Sequence, residues 1–222
     1  MKDFKELNLK HELLEALHLM NFNNMTEVQE QAIPVVLEHK DLITRAKTGS
    51  GKTGAFLIPI FQMVEPRGHP QAIVIVPTRE LALQVSVVAE KFGHRTRLRT
   101  AVVYGGASIN AQMQVLRRGA DIIVGTPGRI IDLVERGALN LGKIRVFVLD
   151  EADMMLDMGF IEDIEHIMSL APRDKQTLLF SATMPREITD IARRHMKRLS
   201  KLLHRPPLSL ALSCAQTSQR QH

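Results

Sequence analysis

Short apolar runs alternate with longer amphipathic stretches through most of this 222-residue chain. The runs are β-branched and uninterrupted, as strands covered on both faces should be. Six strands are expected, at 41–44, 72–76, 100–104, 121–124, 146–149 and 177–180. Helical patterns fall at about 52–64, 79–92, 108–118, 128–136, 160–169 and 186–198, with two earlier helices at about 10–20 and 27–38. The alternation predicts an α/β fold: a mostly parallel sheet with helices on both faces.

Composition narrows the class of protein. Apolar residues make up 45% of the chain and charged residues 24%, which excludes a wholly disordered polypeptide. The longest apolar runs are far too short for a transmembrane helix, and the first residues lack the apolar segment of a secretory signal. The short apolar runs lead us to expect no membrane partner. The one cysteine, Cys214, cannot form an internal disulfide, so we expect a reducing, cytoplasmic location.

The formal charge of +5 is unevenly distributed. From Arg186 onward, eight lysines and arginines stand against two acids, so residues 1–185 are close to neutral. Overall charge therefore supports nucleic-acid binding only weakly. Because the chain has eight Phe, one Tyr and no Trp, stacking of bases on aromatic platforms is not indicated either. If the chain binds nucleic acid, we expect contacts to phosphates and sugars.

A phosphate-loop pattern follows the first predicted strand, with alanine in place of its first glycine. It reads Ala46, Lys47, Thr48, Gly49, Ser50, Gly51, Lys52, Thr53. Its glycines let backbone N–H groups surround phosphate oxygens, and the helix that begins near Lys52 directs its positive end at them. We expect Lys52 to reach the β- and γ-phosphates and Thr53 to bind Mg²⁺. A chance Gly/Ser turn is the alternative, although the position between strand and helix is the one the motif requires.

Two acids end the predicted strand at 146–149. Asp150 is the expected second anchor for Mg²⁺, directly or through water, because it follows a buried strand beside a phosphate loop. Glu151 is expected to accept a proton from the water that attacks the γ-phosphate. We therefore expect Lys52, Asp150 and Glu151 to carry the catalysis. The alternative is a helix N-terminus that simply attracts acids.

With these two motifs in place, the sequence closely resembles the DEAD-box ATP-dependent RNA helicases of superfamily 2. Asp150-Glu151-Ala152-Asp153 spells the family name, and Ala46–Thr53 is similar to its first motif, with Lys47 where Gln is commoner. Further matches come in the family's order: Phe4 as an isolated upstream aromatic, Phe22 through Gln29 as the Q motif, Pro77 through Leu81 as motif Ia, Gly105-Gly106 as the double-glycine turn, Thr126 through Arg129 as motif Ib and Ser181-Ala182-Thr183 as motif III. The resemblance covers about residues 4–196.

The resemblance implies a RecA-like domain that binds ATP and Mg²⁺. Gln29 would read adenine, because its amide can donate and accept at once along the N6/N7 edge; an exposed helical polar residue is the alternative. Phe4 would stack on the adenine face, with an N-terminal core anchor as the alternative. The implied nucleotide-binding residues are Phe4, Phe22, Gln29 and the whole loop from Ala46 to Thr53.

The resemblance also implies that turns after the strands hold one strand of RNA. The residues concerned are Pro77, Thr78, Arg79, Gly105, Gly106, Thr126, Pro127, Gly128 and Arg129. Hydroxyls, N–H groups at helix starts and arginines suit phosphates, so the contacts would read backbone and 2′-hydroxyl rather than sequence. For Arg79 and Arg129 the alternative is a structural salt bridge within a turn.

Motif III would couple the nucleotide site to a partner domain. The resemblance implies hydrogen bonds from Ser181 and Thr183 to the acidic motif, Asp153 included, with Ala182 between them. An N-cap for the helix that begins near Pro185 is the alternative.

The chain departs from the family after residue 197. We expect residues 1–197 to be the ATP-binding domain and 198–222 to be a basic, flexible tail, with an RNA-gripping tail as the alternative. The second RecA-like domain, with its motifs IV to VI and its arginines, is expected to be absent. The chain alone should then bind ATP–Mg²⁺ and RNA weakly, with little turnover. The competing functions are a binding module without useful catalysis and another phosphate-loop ATPase, such as a DNA translocase.

Overall fold

Seven parallel strands form one sheet in the computed structural model, which describes residues 2–197 and 199–203. The strands are β1 (Asp41–Arg45), β2 (Ala72–Ile75), β3 (Thr100–Val103), β4 (Ile122–Gly125), β5 (Val146–Leu149), β6 (Gln176–Ser181) and β7 (Leu199–Leu203). Their order across the sheet is β3-β4-β2-β5-β6-β1-β7, and every neighbouring pair is parallel. The six predicted strands and the parallel sheet are confirmed.

Nine α-helices and a 3₁₀ turn at Phe4–Leu7 cover the sheet in the described part of the chain. The helices are α1 (His11–Leu19), α2 (Glu27–Leu37), α3 (Lys52–Met63), α4 (Arg79–Thr96), α5 (Ile109–Arg117), α6 (Pro127–Glu135), α7 (Ala152–Asp157), α8 (Ile161–Leu170) and α9 (Arg186–His195). The capping box that the sequence predicts at α2 is present, with Thr26 and Gln29 each bonded to the other's backbone. Eight of the helices correspond to predicted helical stretches.

The core has two layers, one on each face of the sheet. Val74 of β2 packs into the layer formed by α1 to α4, whereas its neighbours Ile73 and Ile75 pack into the layer that α6 to α9 complete. In β5, Val148 and Phe147 divide between the layers in the same way. Alternate residues of a strand face opposite sides, so a strand buried on both faces must be apolar throughout.

Two elements were not predicted. The helix α7 has six residues, which is too short for a helical period to show in the sequence. The strand β7 pairs with β1 along its length and lies beyond residue 197, where the sequence places the end of the domain. An open sheet edge at β1 offers N–H and C=O groups to any following extended segment. The rest of the predicted tail, residues 204–222, lies outside the described residues, as does Arg198.

Within the described residues, no helix combines the length and the apolar character needed to span a membrane.

A buried carboxylate holds the sheet together beside its last strand. Asp41, only 5% exposed, accepts backbone hydrogen bonds from Thr177 at 2.7 Å and from Lys197 at 2.7 Å. The first bond joins the start of β1 to β6, and the second fixes the chain that enters β7.

Replacing Asp41 with alanine should therefore destabilise the fold by about 2–4 kcal/mol, because two N–H groups lose their acceptor. Asp41→Asn keeps one acceptor oxygen and should lose about half as much. Urea unfolding measures both values. Glu38→Ala is the control, since Glu38 makes only an exposed ion pair with Lys40. Equal unfolding midpoints for Asp41→Ala and Glu38→Ala would contradict this role.

Candidate functional site

The sheet order brings the phosphate loop and the acidic motif to one edge. The loop follows β1, the acids follow β5, and β6 lies between these two strands. Carboxyl ends of parallel strands share one edge of a sheet, which is where ligands bind in open α/β folds. The three segments that the sequence singles out therefore converge.

The loop from Ala46 to Gly51 curls back before α3 begins at Lys52. Gly49 and Gly51 adopt φ of 81° and 93°, a region that side chains with a Cβ rarely enter. Gly51 is the residue that caps α3, so the first free N–H groups of a twelve-residue helix open at the loop. Lys52 and Thr53 form the start of that helix, as the pattern predicts.

Lys52 is the centre of a buried charged cluster. Its Nζ lies 2.7 Å from Oε1 of Glu151 and 3.7 Å from Oδ1 of Asp150. All three residues are less than a tenth exposed. The hydroxyl of Thr48 donates to the same Glu151 oxygen at 3.1 Å. The loop is thus tied to the acidic motif through Glu151.

The Asp150 carboxyl titrates above its usual range. Burial and, to a smaller extent, the neighbouring charge of Glu151 raise its pKa to about 6 against the opposing attraction of Lys52. Glu151 itself has φ of 55°, a left-handed conformation that is uncommon for a residue with a side chain. Backbone strain of this kind persists where the surrounding structure enforces it, most often at functional sites. Here it accompanies the contact between the Glu151 carboxylate and Lys52.

The Q-motif glutamine packs directly on the phosphate loop. Gln29 is 2% exposed; its Oε1 accepts from the Thr26 N–H, and its Nε2 donates to the Gly51 carbonyl at 3.0 Å. A Cβ on Gly54 would lie 2.5 Å from that Nε2, so a larger residue at this position would displace the amide from the Gly51 carbonyl. These contacts use one donor and one acceptor of the amide and leave one of each. The exposed polar residue that was the alternative for Gln29 is not what the structure contains.

Phe4 is a core residue, contrary to the adenine contact implied for it. Its side chain is 2% exposed, and its ring centre lies 6.4 Å from that of the half-buried Phe22. Phe22 in turn contacts Phe92 of α4. Phe4 therefore presents no open face for a base, and the core-anchor alternative describes it correctly.

Motif III meets the acidic motif as the resemblance implies. The hydroxyl of Ser181 accepts from the Asp153 N–H at 3.0 Å, and Thr183 donates its N–H and its hydroxyl to Oδ2 of Asp153 at 2.8 and 2.9 Å. Burial raises the pKa of Asp153, but the hydrogen bonds from Thr183 and Ser181 outweigh it and leave the pKa lowered. Ala182 offers its carbonyl to Arg45. Neither residue caps α9, which begins at Arg186 with Pro185 at the N-cap position and no side-chain cap.

The turns expected to hold RNA line one groove. A cavity of about 470 Å³ is lined by Pro77, Thr78, Arg79, Gly105, Thr126, Gly128, Arg129, Met158 and Phe160. Seven of the nine predicted residues are among these, while Gly106 and Pro127 belong to the same turns but do not line the cavity. Met158 and Phe160 were not predicted. No pattern in the residues that follow the acidic motif shows that these two will lie beside turns that are distant along the chain.

The two arginines differ in how they are held. Arg79 is exposed, and its guanidinium lies over the ring of Tyr104, 5.0 Å from the centre. Arg129 donates two hydrogen bonds to the Ala107 carbonyl, at 3.1 and 3.2 Å, and lies 3.9 Å from Asp132. Arg129 thus has a structural role, since it ties two turns of the groove together, and this role is compatible with the RNA contact implied for it. Arg79 keeps its donors at the surface.

A larger cavity of about 610 Å³ lies at the opposite side of the sheet from the phosphate loop, where the strands begin. Asp41, Val146 and Gln176, which begin β1, β5 and β6, are part of its lining. It is therefore far from the loop and the acids.

A glycine loop on a helix start, a buried lysine and strand-end acids define a phosphate-loop nucleotide-binding domain. The family model for the DEAD/DEAH box helicase matches residues 26–191, and the chain belongs to that family. The DEAD-box ATP-dependent RNA helicase CshA of Geobacillus kaustophilus is 50% identical over 197 residues, 88% of this chain and 42% of that protein. The RNA helicase CrhR of Synechocystis is 45% identical over 193 residues, 87% of this chain and 39% of that protein.

A solved structure shows the same RecA-like fold. The crystal structure of a DEAD box protein from the hyperthermophile Methanococcus jannaschii superimposes with a TM-score of 0.88 at 44% identity, covering 91% of this chain and 56% of that one. The chain thus spans between 39% and 56% of the length of these relatives.

Because Gln29 lies so close to Gly54, we expect a glycine-to-alanine change there to destabilise the protein, although such a change usually stabilises a helix. Alanine normally stabilises a helix interior over glycine by about 1 kcal/mol, yet Gly54→Ala should destabilise this protein by about 1 kcal/mol because it displaces Gln29 from Gly51. In a Gln29→Ala background the same change should be neutral or stabilising. Urea unfolding of the four proteins in this cycle measures the coupling. Additive effects of the two substitutions would show that the contact carries no energy.

The raised pKa of Asp150 predicts that the free energy of unfolding falls as the pH rises. The neutral form favours folding, so its contribution is complete below pH 3.8, the ordinary pKa, and is lost as the pH rises through about 6. Asp150→Asn removes this dependence. Without nucleotide or Mg²⁺, the variant should match the wild type near pH 4 and exceed its unfolding free energy by about 1–3 kcal/mol at pH 7.5. A difference that stays constant between these pH values would contradict the shift.

Proposed function

We propose that this chain is the ATP-binding domain of an ATP-dependent RNA helicase, which binds ATP with Mg²⁺ at the phosphate loop and holds single-stranded RNA in the neighbouring groove. The observation that carries the proposal is the cluster of Lys52, Asp150 and Glu151. A buried lysine between a glycine loop and two acids fits a triphosphate with its Mg²⁺ better than it fits a structural ion pair. The ammonium can bind phosphate oxygens, and the carboxylate in excess of the one ammonium can take the divalent cation.

Nucleotide binding requires an exchange of partners at Lys52. The loop N–H groups and the start of α3 would surround the phosphates, and the Lys52 ammonium would leave Glu151 for the β- and γ-phosphate oxygens. Gln29, fixed against Gly51, keeps one donor and one acceptor for the adenine edge. The exchange releases the Glu151 carboxylate, which can then take a proton from the attacking water.

The donors present suit Mg²⁺. The residues that would hold it are Thr53, through its hydroxyl, and Asp150, directly or through water. Among the described residues no group of three or more His, Cys, Asp or Glu could form a complete metal site. This suits an ion that is bound by one or two protein ligands together with substrate phosphates. When bound, Mg²⁺ neutralises charge that develops on the phosphates.

The groove would hold RNA by its backbone. Thr78 caps α4 and Thr126 caps α6, so each brings the free N–H groups of a helix start to the groove. Arg79 adds a charged donor at the surface. Such contacts favour one strand of any sequence.

The activity of a longer protein is a further step of the proposal. The relatives named above are about twice as long, and a second RecA-like domain in such a protein would supply arginines to the transition state. No hydrogen bond or ion pair within residues 2–197 joins an arginine to Asp150 or Glu151. Arginines of this kind are worth about 10³–10⁵ in rate. We therefore propose that this chain alone hydrolyses ATP slowly, that the longer protein remodels short RNA duplexes, and that it works in a reducing, cytoplasmic setting.

Calorimetry with ATP and Mg²⁺ tests the nucleotide site. Lys52→Ala should weaken binding more than about tenfold, since the phosphates lose their ammonium. Glu151→Gln should bind ATP as tightly as the wild type, or severalfold more tightly, because it no longer holds Lys52 in the free state. Lys143→Ala, an exposed lysine far from the loop, is the control. Unchanged affinity in Lys52→Ala would refute the site.

Steady-state hydrolysis tests the division of labour. The chain alone, with single-stranded RNA present, should turn over ATP far below about one per second, the low end of typical enzymes. Addition of a family-type second domain should raise the rate, and Glu151→Gln should abolish that rise. Turnover near one per second by the chain alone would show that it needs no second domain. DNA that stimulates as well as RNA would favour a DNA translocase instead.

A further inference from the structure

We infer that Met158 and Phe160 form an apolar floor in the groove and contact the sugar and base of a bound RNA strand. The inference rests on the proposed RNA binding and adds a second kind of contact to it. Both residues line the 470 Å³ cavity together with the turns of motifs Ia and Ib. Met158 is a large apolar side chain that remains 49% exposed there.

The floor is held in place by the end of α7. Gly159, with φ of 79°, turns the chain between the two residues, and the Phe160 N–H donates to the Met155 carbonyl at 2.9 Å. Phe160 packs partly against the core layer under α6 to α9, which fixes its position. Met158 does not pack against that layer, so a role in the core does not account for a large apolar side chain at this position.

The opposite side of the groove decides what kind of ligand fits. It carries the helix starts at Thr78 and Thr126 and the guanidinium of Arg79, all of which are donors for anionic oxygens. An apolar protein segment would offer these donors only neutral carbonyl oxygens and no anionic acceptor. A single nucleic-acid strand supplies phosphates on one side and ribose and base on the other, and both methionine and phenylalanine offer suitable surfaces to the latter.

Apolar and ionic contacts can be separated by their salt dependence. Loss of one phosphate contact lowers the slope of log affinity against log salt by about one, whereas loss of a stacking contact leaves the slope unchanged. Fluorescence anisotropy of a labelled single-stranded RNA, titrated with the 222-residue chain at several salt concentrations, measures both quantities.

Met158→Ala and Phe160→Leu should each weaken RNA binding by about threefold to tenfold with an unchanged salt slope. Arg79→Ala should weaken binding and also reduce the slope. Met154→Ala is the matched control: it is a methionine of the same helix, 44% exposed, that does not line the groove. Unfolding midpoints verify that each variant is folded, and the exposed Met158 keeps the test valid if Phe160→Leu is unstable.

The outcomes separate the two proposals. Wild-type affinity in Met158→Ala and Phe160→Leu, together with weakened binding in Arg79→Ala, would overturn the apolar floor and leave the RNA groove intact. An equal loss in Met154→Ala and Met158→Ala would also overturn the floor, since the effect would belong to α7 as a whole. No RNA binding by the wild-type chain would overturn the proposed RNA function and the floor with it.

Discussion

The buried contact between Lys52 and the strand-end acids is the interaction on which the nucleotide edge depends. Two carboxylates share one ammonium where almost no water reaches, so the cluster cannot be neutral with both acids ionised. The structure accommodates this by raising the pKa of Asp150. Replacement of such a cluster by apolar side chains is often neutral or stabilising, which means that fold stability alone does not account for it. The Mg²⁺ that accompanies a bound triphosphate would offset the excess negative charge of the two carboxylates.

The sheet order makes this cluster possible. With β6 between β5 and β1, the loop after β1 and the acids after β5 are two strands apart, about 10 Å across the sheet. The long side chains of Lys52 and Glu151 close that distance. The intervening strand ends at Ser181, which bonds the backbone of Asp153 and so links the third segment to the other two. Each contact at this edge therefore depends on the register of three buried strands.

Sequence predicted those parts of the molecule that repeat locally. The six strands are visible as apolar runs, the start of α2 as a capping box, and the meeting of Lys52 with Asp150 follows from the rule that strand ends converge. Side-chain contacts between distant segments have no such pattern. Nothing near Gln29 shows that its amide reaches the Gly51 carbonyl, and nothing near Phe4 shows that the core covers its ring. The helix α7 and the strand β7 were missed because one is too short for a period and the other exists only by pairing with an edge.

The short helix α7 joins the two ends of the proposed machinery. Its N-cap residue is Glu151, whose carboxylate contacts Lys52, and its C-cap residue is Met158, which lines the groove. Asp153 in its first turn is hydrogen-bonded to Thr183 and Ser181, and Met155 of the same helix is fully buried. An RNA strand in contact with Met158 and a nucleotide that releases Glu151 would therefore act on residues at the two ends of the same short helix. Since a coupling free energy is reciprocal, RNA and ATP would each alter the affinity for the other through α7.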